Sequence, residues 1–498
     1  MTQNSDDGRV GPRQAVVLIH GIGEQRPMAT LHAFVQWLLP CRDSYYSKPD
    51  QIADSFELRR IKLKKRRNAE ASEADPNADW PETDFYEYYW AHQMQGTTFS
   101  HVVRWLIRVS TTGVRHRKSK EVGWFFRPGC RGPLVGAALV LVASIPIAVI
   151  LALKWPGHTF VAVAFGAAAL KLLGMLGRFV LLDVVGDAAR YLDVHPSNVA
   201  RRYDILRGGL SMLRKLHEAH DELRGQVRYR YGRVVLVGHS LGSVIAYDIV
   251  KHYWAEVNGR LKVEGRSGEL LNAVAGYNPP PKATTAPSDT HEDSDTFRQD
   301  QAHAWVSMNE ATSAESILSK KGLPHARWLV TDLVTLGSPL AYAHLLLADG
   351  PKDFDDKVSS RELPTCPPDR STTVNRGYYT VPLSAEAQPM GDDYDIIHHA
   401  APFAITRWTN VHLKNDPVGY CLGEVLGKGI KDIQVCDPDG PSMFEAHNLY
   451  WPPGACDSGW KHEVRHEMLA ILKGPERSIS QGVAKVLHCE ARSTSQTP

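Results

Sequence analysis

Arg233-Val-Val-Leu-Val-Gly-His-Ser-Leu-Gly-Ser243 is an apolar run that breaks into Gly238-His239-Ser240-Leu241-Gly242 and continues as a helical pattern over Leu241–Trp254. It is a G-x-S-x-G string at a strand-to-helix junction. A strand can reverse into a helix this sharply only if the flanking positions are small, and the turn then lifts the Ser240 hydroxyl above the sheet edge. The new helix points its positive N-terminus at the same place. Ser240 is therefore the candidate nucleophile, with Gly238, His239 and Gly242 forming its elbow.

Further strand-like runs lie at Ala15–His20, Phe56–Leu63, Phe85–Trp90, Leu329–Leu336 and Ile405–Leu413. A second helical stretch covers Asn198–Leu223. Strands alternating with helices predict an α/β fold with a mostly parallel central sheet. Lys64–Thr83 and Asn278–Asp300 read as loops from their charge, Pro and Ser content, and Asn278–Asp300 or Asp353–Pro389 is long enough to serve as a lid.

A hydrolytic serine needs an oxyanion site, a base and an acid. The N–H of Leu241 is one oxyanion donor. The second belongs at the Gly-rich junction Val16-Val-Leu-Ile-His20-Gly21-Ile22-Gly23, on the N–H of Ile22 or Gly23. In this type of site the acid and then the His follow the Ser along the chain. Asp416 stands just past the run Ile405–Leu413, and His447 lies in a loop-like stretch before the last helix. Asp332, Asp432 and Asp437, and His412 and His462, are the other candidates on the residues alone.

One segment departs from the rest. Gly132–Leu153 is 22 residues without a charge, interrupted by Pro146. At about 1.5 Å per residue it makes about 33 Å of helix, the thickness of a hydrocarbon core. After a turn at Lys154–His158 comes Thr159–Gly177, whose single charge is Lys171. Arg104, Arg108, Arg115, Arg117, Lys118, Lys120, Arg127 and Arg131 precede this hairpin, and Arg178, Arg190, Arg201 and Arg202 follow it. Basic residues outside both ends put both ends in the cytoplasm. Topology agrees: the oxyanion junction precedes the hairpin and Ser240 follows it, so an even number of crossings must separate them.

Composition bounds the partners. The chain has 498 residues, with 57 Lys+Arg against 55 Asp+Glu and a net charge of +2, too even for a chain organised around nucleic acid. Seven widely spaced Cys with no CxxC pair argue against a disulfide framework. A mean hydropathy of −0.28 conceals the 46-residue apolar hairpin Gly132–Gly177. The expected organisation is a tail over 1–13, a catalytic α/β domain in two parts over 14–100 and 178–475, a membrane insert over 101–177, and a second tail over 476–498. No signal peptide is read in Met1–Gln14.

Several blocks resemble a known family. The His20-Gly-Ile-Gly turn, the run Gly238–Asp248 and Leu336-Gly-Ser-Pro339 look like α/β-hydrolase lipases, and more narrowly like the intracellular DDHD-domain phospholipases A1 or a bacterial membrane-inserted relative of them. Asp183–Leu192, Asn415–Tyr420 and the His447-Asn-Leu-Tyr450-Trp451 string resemble further blocks of that family. The resemblance implies an α/β-hydrolase fold with Ser240, Asp416 and His447 as a triad; the hairpin, read from its own residues, interrupts that fold. A membrane hairpin brings the site close to lipid, so a lipid ester is the expected substrate, with other esters open, and no cofactor or metal is expected. The expected place is a membrane, the bacterial inner membrane for such a relative, with the catalytic domain facing the cytoplasm. Two other readings stand beside it. His462-Glu-Val-Arg-His466 is a literal H-E-x-x-H, as in zinc metallopeptidases. The chain could equally be a membrane-anchored interaction protein that has lost catalysis.

Overall fold

The computed structural model describes residues 13–21, 26–39, 45–49, 52, 59–63, 81–94, 191–192, 196–223, 226–263, 266–277, 289–314, 327–369, 379–380, 395–414, 416, 418–435, 446–447, 449–451 and 460–473. The hairpin Gly132–Gly177 and its basic flanks as far as Arg190 lie outside these, as do Ile22, Gly23 and Asp437. No helix among the described residues is long and apolar enough to cross a membrane.

The elements that position the site begin with β1 (Arg13–Ile19), α1 (Ala29–Leu38), β2 (Tyr45–Pro49), β3 (Arg59–Leu63) and β4 (Thr83–Tyr88). After the undescribed stretch come α2 (Pro196–Glu218), β5 (His220–Leu223), β6 (Gln226–Tyr229), β7 (Tyr231–His239), α3 (Leu241–Val257), β8 (Lys262–Val263), α4 (Arg266–Gly276) and α5 (Asp289–Ala314). The chain closes with β9 (Val330–Leu336), β10 (Tyr379–Thr380), β11 (Asp395–Ile397), β12 (Arg407–Leu413), β13 (Lys431–Val435) and α6 (Trp460–Lys473).

The main sheet has eight strands in the order β13-β12-β9-β7-β1-β4-β3-β2. All pairings from β13 to β4 are parallel, and β3 and β2 add an antiparallel edge. The architecture is thus α/β with a mixed sheet. β1 sits between β4, which comes before residues 101–177, and β7, which comes after them. Chain on either side of that segment therefore shares one sheet.

The uninterrupted apolar character of β1 and β7 has a direct cause: both faces of these strands are buried. Side chains alternate between faces. Ala15, Val17 and Ile19, with Val234 and Leu236, join one core, shared with Ile205 of α2, Val244 and Tyr247 of α3 and Trp305 of α5. Val16 and Leu18, with Val235 and Val237, join the other, shared with Leu31 and Phe34 of α1 and Val464 and Met468 of α6. The result is helix, sheet, helix in three layers.

Three expectations need correction. Asn278–Asp300 is not a loop throughout, since Asp289 onward belongs to the 26-residue helix α5. Phe297, Gln301, Ala304, Trp305 and Met308 are buried at helical spacing. Most of that buried stripe lies beyond Asp300, so the polar first half alone hid the helix. The helix expected over Asn198–Leu223 also ends early, at Glu218, and His220–Leu223 forms a strand with Gln226–Tyr229. Asp353, the start of the other expected loop, lies in a helix over Pro351–Ser359.

Candidate active site

Ser240 follows the last residue of β7 and precedes the first of α3, at φ 52° and ψ −128°. A non-glycine residue there stores backbone strain of about 1–3 kcal/mol, which the surroundings must hold in place. They do so by close backbone contact. A Cβ on Gly242 would lie 2.2 Å from the carbonyl oxygen of Ile19, and one on Gly238 would lie 2.5 Å from the Cα of Ser243. The Ser240 N–H donates to the Leu336 carbonyl at 2.9 Å, tying the elbow to β9. The Ser240 carbonyl accepts from the N–H of Ser243 at 3.0 Å and from its hydroxyl at 2.5 Å.

The strand order reverses around β1: the chain goes first to β4 on one side and later to β7, β9, β12 and β13 on the other. The crevice beyond the carboxyl ends of β1 and β7 is where open parallel sheets bind ligands. His20 and Gly21 end one wall and Ser240 ends the other. A Cβ on Gly21 would stand 2.9 Å from the Cβ of Ser240. His20 is fully buried and stacked on Trp90 at 5.1 Å, with its Nδ1 donating to the Gly21 carbonyl at 2.8 Å. Burial lowers its pKa to about 4, so it sits there neutral. Of the three candidate oxyanion donors, Leu241 is the first residue of α3, where helix geometry leaves the N–H without an intrahelical partner. Ile22 and Gly23 lie outside the described residues.

The three residues picked as nucleophile, base and acid come together. The His447 Nε2 is 2.8 Å from the Ser240 Oγ. The His447 Nδ1 is 3.1 Å from each oxygen of Asp416. Asp416 lies on the turn after β12, with its N–H bonded to the Leu413 carbonyl at 3.0 Å. Burial pushes the Asp416 carboxyl towards the neutral form. The His447 ring, the Tyr450 hydroxyl and the Val418 N–H outweigh this and hold it below the ordinary value, as a carboxylate. With Asp416 accepting at Nδ1, the other ring nitrogen is left free to accept the serine proton.

Two of the rival acids have other partners. Asp332 is buried between Arg233 at 2.6 Å and Arg407 at 2.8 Å. Asp432 accepts from the Asn410 side chain at 2.7 Å and from the N–H groups of Leu422 and Gly423 at 2.9 and 2.7 Å, pinning the turn between β12 and β13. His412 is buried, and its imidazole is lowered first by that burial. The H-E-x-x-H string lies on α6, which buries Val464, Met468 and Leu472 against the sheet while His466 faces solvent. The Arg465 guanidinium donates to the Leu38 carbonyl at the end of α1. The side chain of His462 is outside the described residues. Among the described residues no group of three His, Cys, Asp or Glu side chains could hold a metal.

His239 of the elbow and two glycines near the acid complete the site. His239 donates from Nε2 to the His447 carbonyl at 2.9 Å and stacks on its ring at 5.1 Å. Burial lowers its pKa to about 3, so it adds no charge beside the base. Gly337, at φ 57°, and Gly419 leave the space that Asp416 occupies: Cβ atoms there would lie 2.9 and 2.8 Å from its Oδ2. The Leu336-Gly-Ser-Pro339 string therefore matters for its missing side chain. Searches against protein-family models, curated proteins and solved structures return no match to this chain.

Proposed function

We propose that the chain is a membrane-associated serine ester hydrolase of the α/β-hydrolase class, cleaving a lipid carboxylic ester through an acyl-enzyme. One observation carries the chemistry: an imidazole nitrogen 2.8 Å from a strained, elbow-borne serine, with a buried carboxylate on the other nitrogen. In this reading the Ser240 Oγ attacks the ester carbonyl carbon while His447 takes its proton. The Leu241 N–H and one from the loop after Gly21 stabilise the oxyanion. The carbon–oxygen bond to the leaving alcohol breaks as His447 returns the proton to that oxygen. Water, deprotonated by the same imidazole, then releases the carboxylic acid from Ser240.

The lipid substrate rests on the hairpin and on the sheet. Gly132–Leu153 is long enough to reach across a bilayer, and basic residues gather at both its ends. β1 and β7 are hydrogen-bonded neighbours, so the chain returns to the same side after 101–177. A lipid ester at the membrane surface is then the ester nearest the site. The test is labelling of membranes holding the full-length protein with a fluorophosphonate probe, together with lipid profiling of the products. Wild type should label and release fatty acid. Ser240→Ala should lose both, by about 10⁴-fold or more. Equal labelling of the two proteins removes Ser240 as the nucleophile, and intact turnover without labelling favours the zinc alternative.

A further inference from the structure

Tyr450 is 1% exposed, and its ring lies against Gly337, where a Cβ would approach to 2.7 Å. Its phenolic oxygen accepts the Leu413 N–H at 3.2 Å. The one phenolic hydrogen is therefore free to go elsewhere, and Asp416 Oδ2 is 2.6 Å away. Asp416 thus has an acceptor's environment on both oxygens: His447 at 3.1 Å on each, Tyr450 on Oδ2, and the Val418 N–H at 2.8 Å on Oδ1. Tyr450 follows His447 by three residues, so one short segment delivers both the base and a donor to the acid, and the Leu413 bond clips it to the end of β12.

We propose that Tyr450 is a positioning residue of the triad: it holds the Asp416 carboxylate towards His447 and, by sharing its charge, limits how strongly that carboxylate retains the imidazolium. The proposal rests on the reading of Ser240, His447 and Asp416 as a hydrolytic triad. Chemistry favours the role. Burial and the neighbouring carboxylate push the phenol's pKa far above its usual value, so it is a permanent donor. A hydrogen bond to a charged acceptor is also the stronger kind. With the phenol gone, Asp416 presents a less compensated charge to His447, and the protonated, inactive imidazolium persists to higher pH.

The other titratable groups facing the pair do not interfere. His239 on β7, His20 just past β1 and His412 on β12 are all lowered first by burial, and Asp432 on β13 stands beside His412. These groups are the same in Tyr450→Phe, so a difference in acid limb between the two proteins belongs to the phenol.

The experiment measures the rate of labelling by an uncharged fluorophosphonate between about pH 5 and 9 on the full-length protein. Tyr450→Phe should label about tenfold more slowly, with its acid limb moved up by roughly half a unit or more. Slower labelling with an unmoved limb makes Tyr450 a packing residue and overturns the proposal, as do unchanged rates and limb. If Tyr450→Phe does not fold, 3-fluorotyrosine at position 450 keeps the shape and strengthens the donor. Its limb must then move down, and an unmoved limb is again fatal. Wild type that never labels takes the hydrolase reading and this one down together. Wild type and Tyr450→Phe that label alike take down this one alone.

Discussion

At the scale of single residues the site depends on which acid serves the imidazole. Two carboxylates, Asp416 just past the carboxyl end of β12 and Asp432 at the amino end of the neighbouring β13, both accept backbone N–H groups. Only Asp416 also accepts from His447. Asp416→Asn keeps the shape but presents an amide to Nδ1 and favours the wrong tautomer. Probe labelling should fall about 10³- to 10⁴-fold with a nearly unchanged melting temperature. Asp432→Asn should do the reverse, lowering the melting temperature and leaving labelling within a fewfold of wild type. The opposite pattern would transfer the acid's role to Asp432. Asp416 was legible in the sequence because a strand run stops just before it. Tyr450 was visible only as part of the His447-to-Trp451 string, because nothing in a spacing of three says where a phenol will point.

At the scale of elements the elbow is a contact between two strands and a helix. The two small positions around Ser240 do different things. Gly238 makes room for the first turn of α3, whereas Gly242 brings that helix onto the last carbonyls of β1. Gly242→Ala would place a methyl 2.2 Å from one backbone oxygen and 2.5 Å from the next, so backbone must move. A cost of about 1–3 kcal/mol or more is expected, read as a lower melting temperature, with loss of probe labelling as β1 is pushed from Ser240. Gly259→Ala is the control: its Cβ meets nothing within 4 Å, and both measurements should stay at wild-type values. Equal effects of the two changes would mean that the elbow contact is not the cause. The motif announced that small residues were needed, but not which partner each one meets.

At the scale of the whole molecule, a carboxyl buried at the sheet couples stability to pH. Glu87, 1% exposed at the carboxyl end of β4, accepts the Met28 N–H at the start of α1. Burial raises its pKa from 4.5 to about 7, with the Met28 bond opposing. The folded protein therefore binds a proton that the unfolded chain has already lost between about pH 4.5 and 7. Stability from this group falls as pH rises through that window and is level above it, a change on the order of 3 kcal/mol. Glu87→Gln keeps an acceptor for Met28 and removes the titration. Relative to wild type, the variant should therefore be more stable at pH 8 than at pH 5, measured by denaturant unfolding at each pH. A wild-type-to-variant difference that is the same at both pH values would show that folding does not shift the Glu87 pKa.

The sequence alone determined the main local facts. β1, β7, β9 and β12 are visible as apolar or β-branched runs, because strands buried on both faces need no polar alternation. The Ser240 elbow is visible because steric demand at a sharp reversal leaves few residue types. The apolar stretch Gly132–Gly177 stands out because a run of that length with a charge at only Lys154 and Lys171 is rare. The tertiary structure decided what depends on distant chain meeting. It placed Asp416 and His447, 31 residues apart, on one hydrogen bond and put β1 between strands from either side of the hairpin. It turned the polar start of α5 into a helix by burying a face that begins near Phe297, and it gave Tyr450 a carboxylate to hold. A local pattern reports the backbone a residue needs; only the assembled sheet reports which other side chain it will reach.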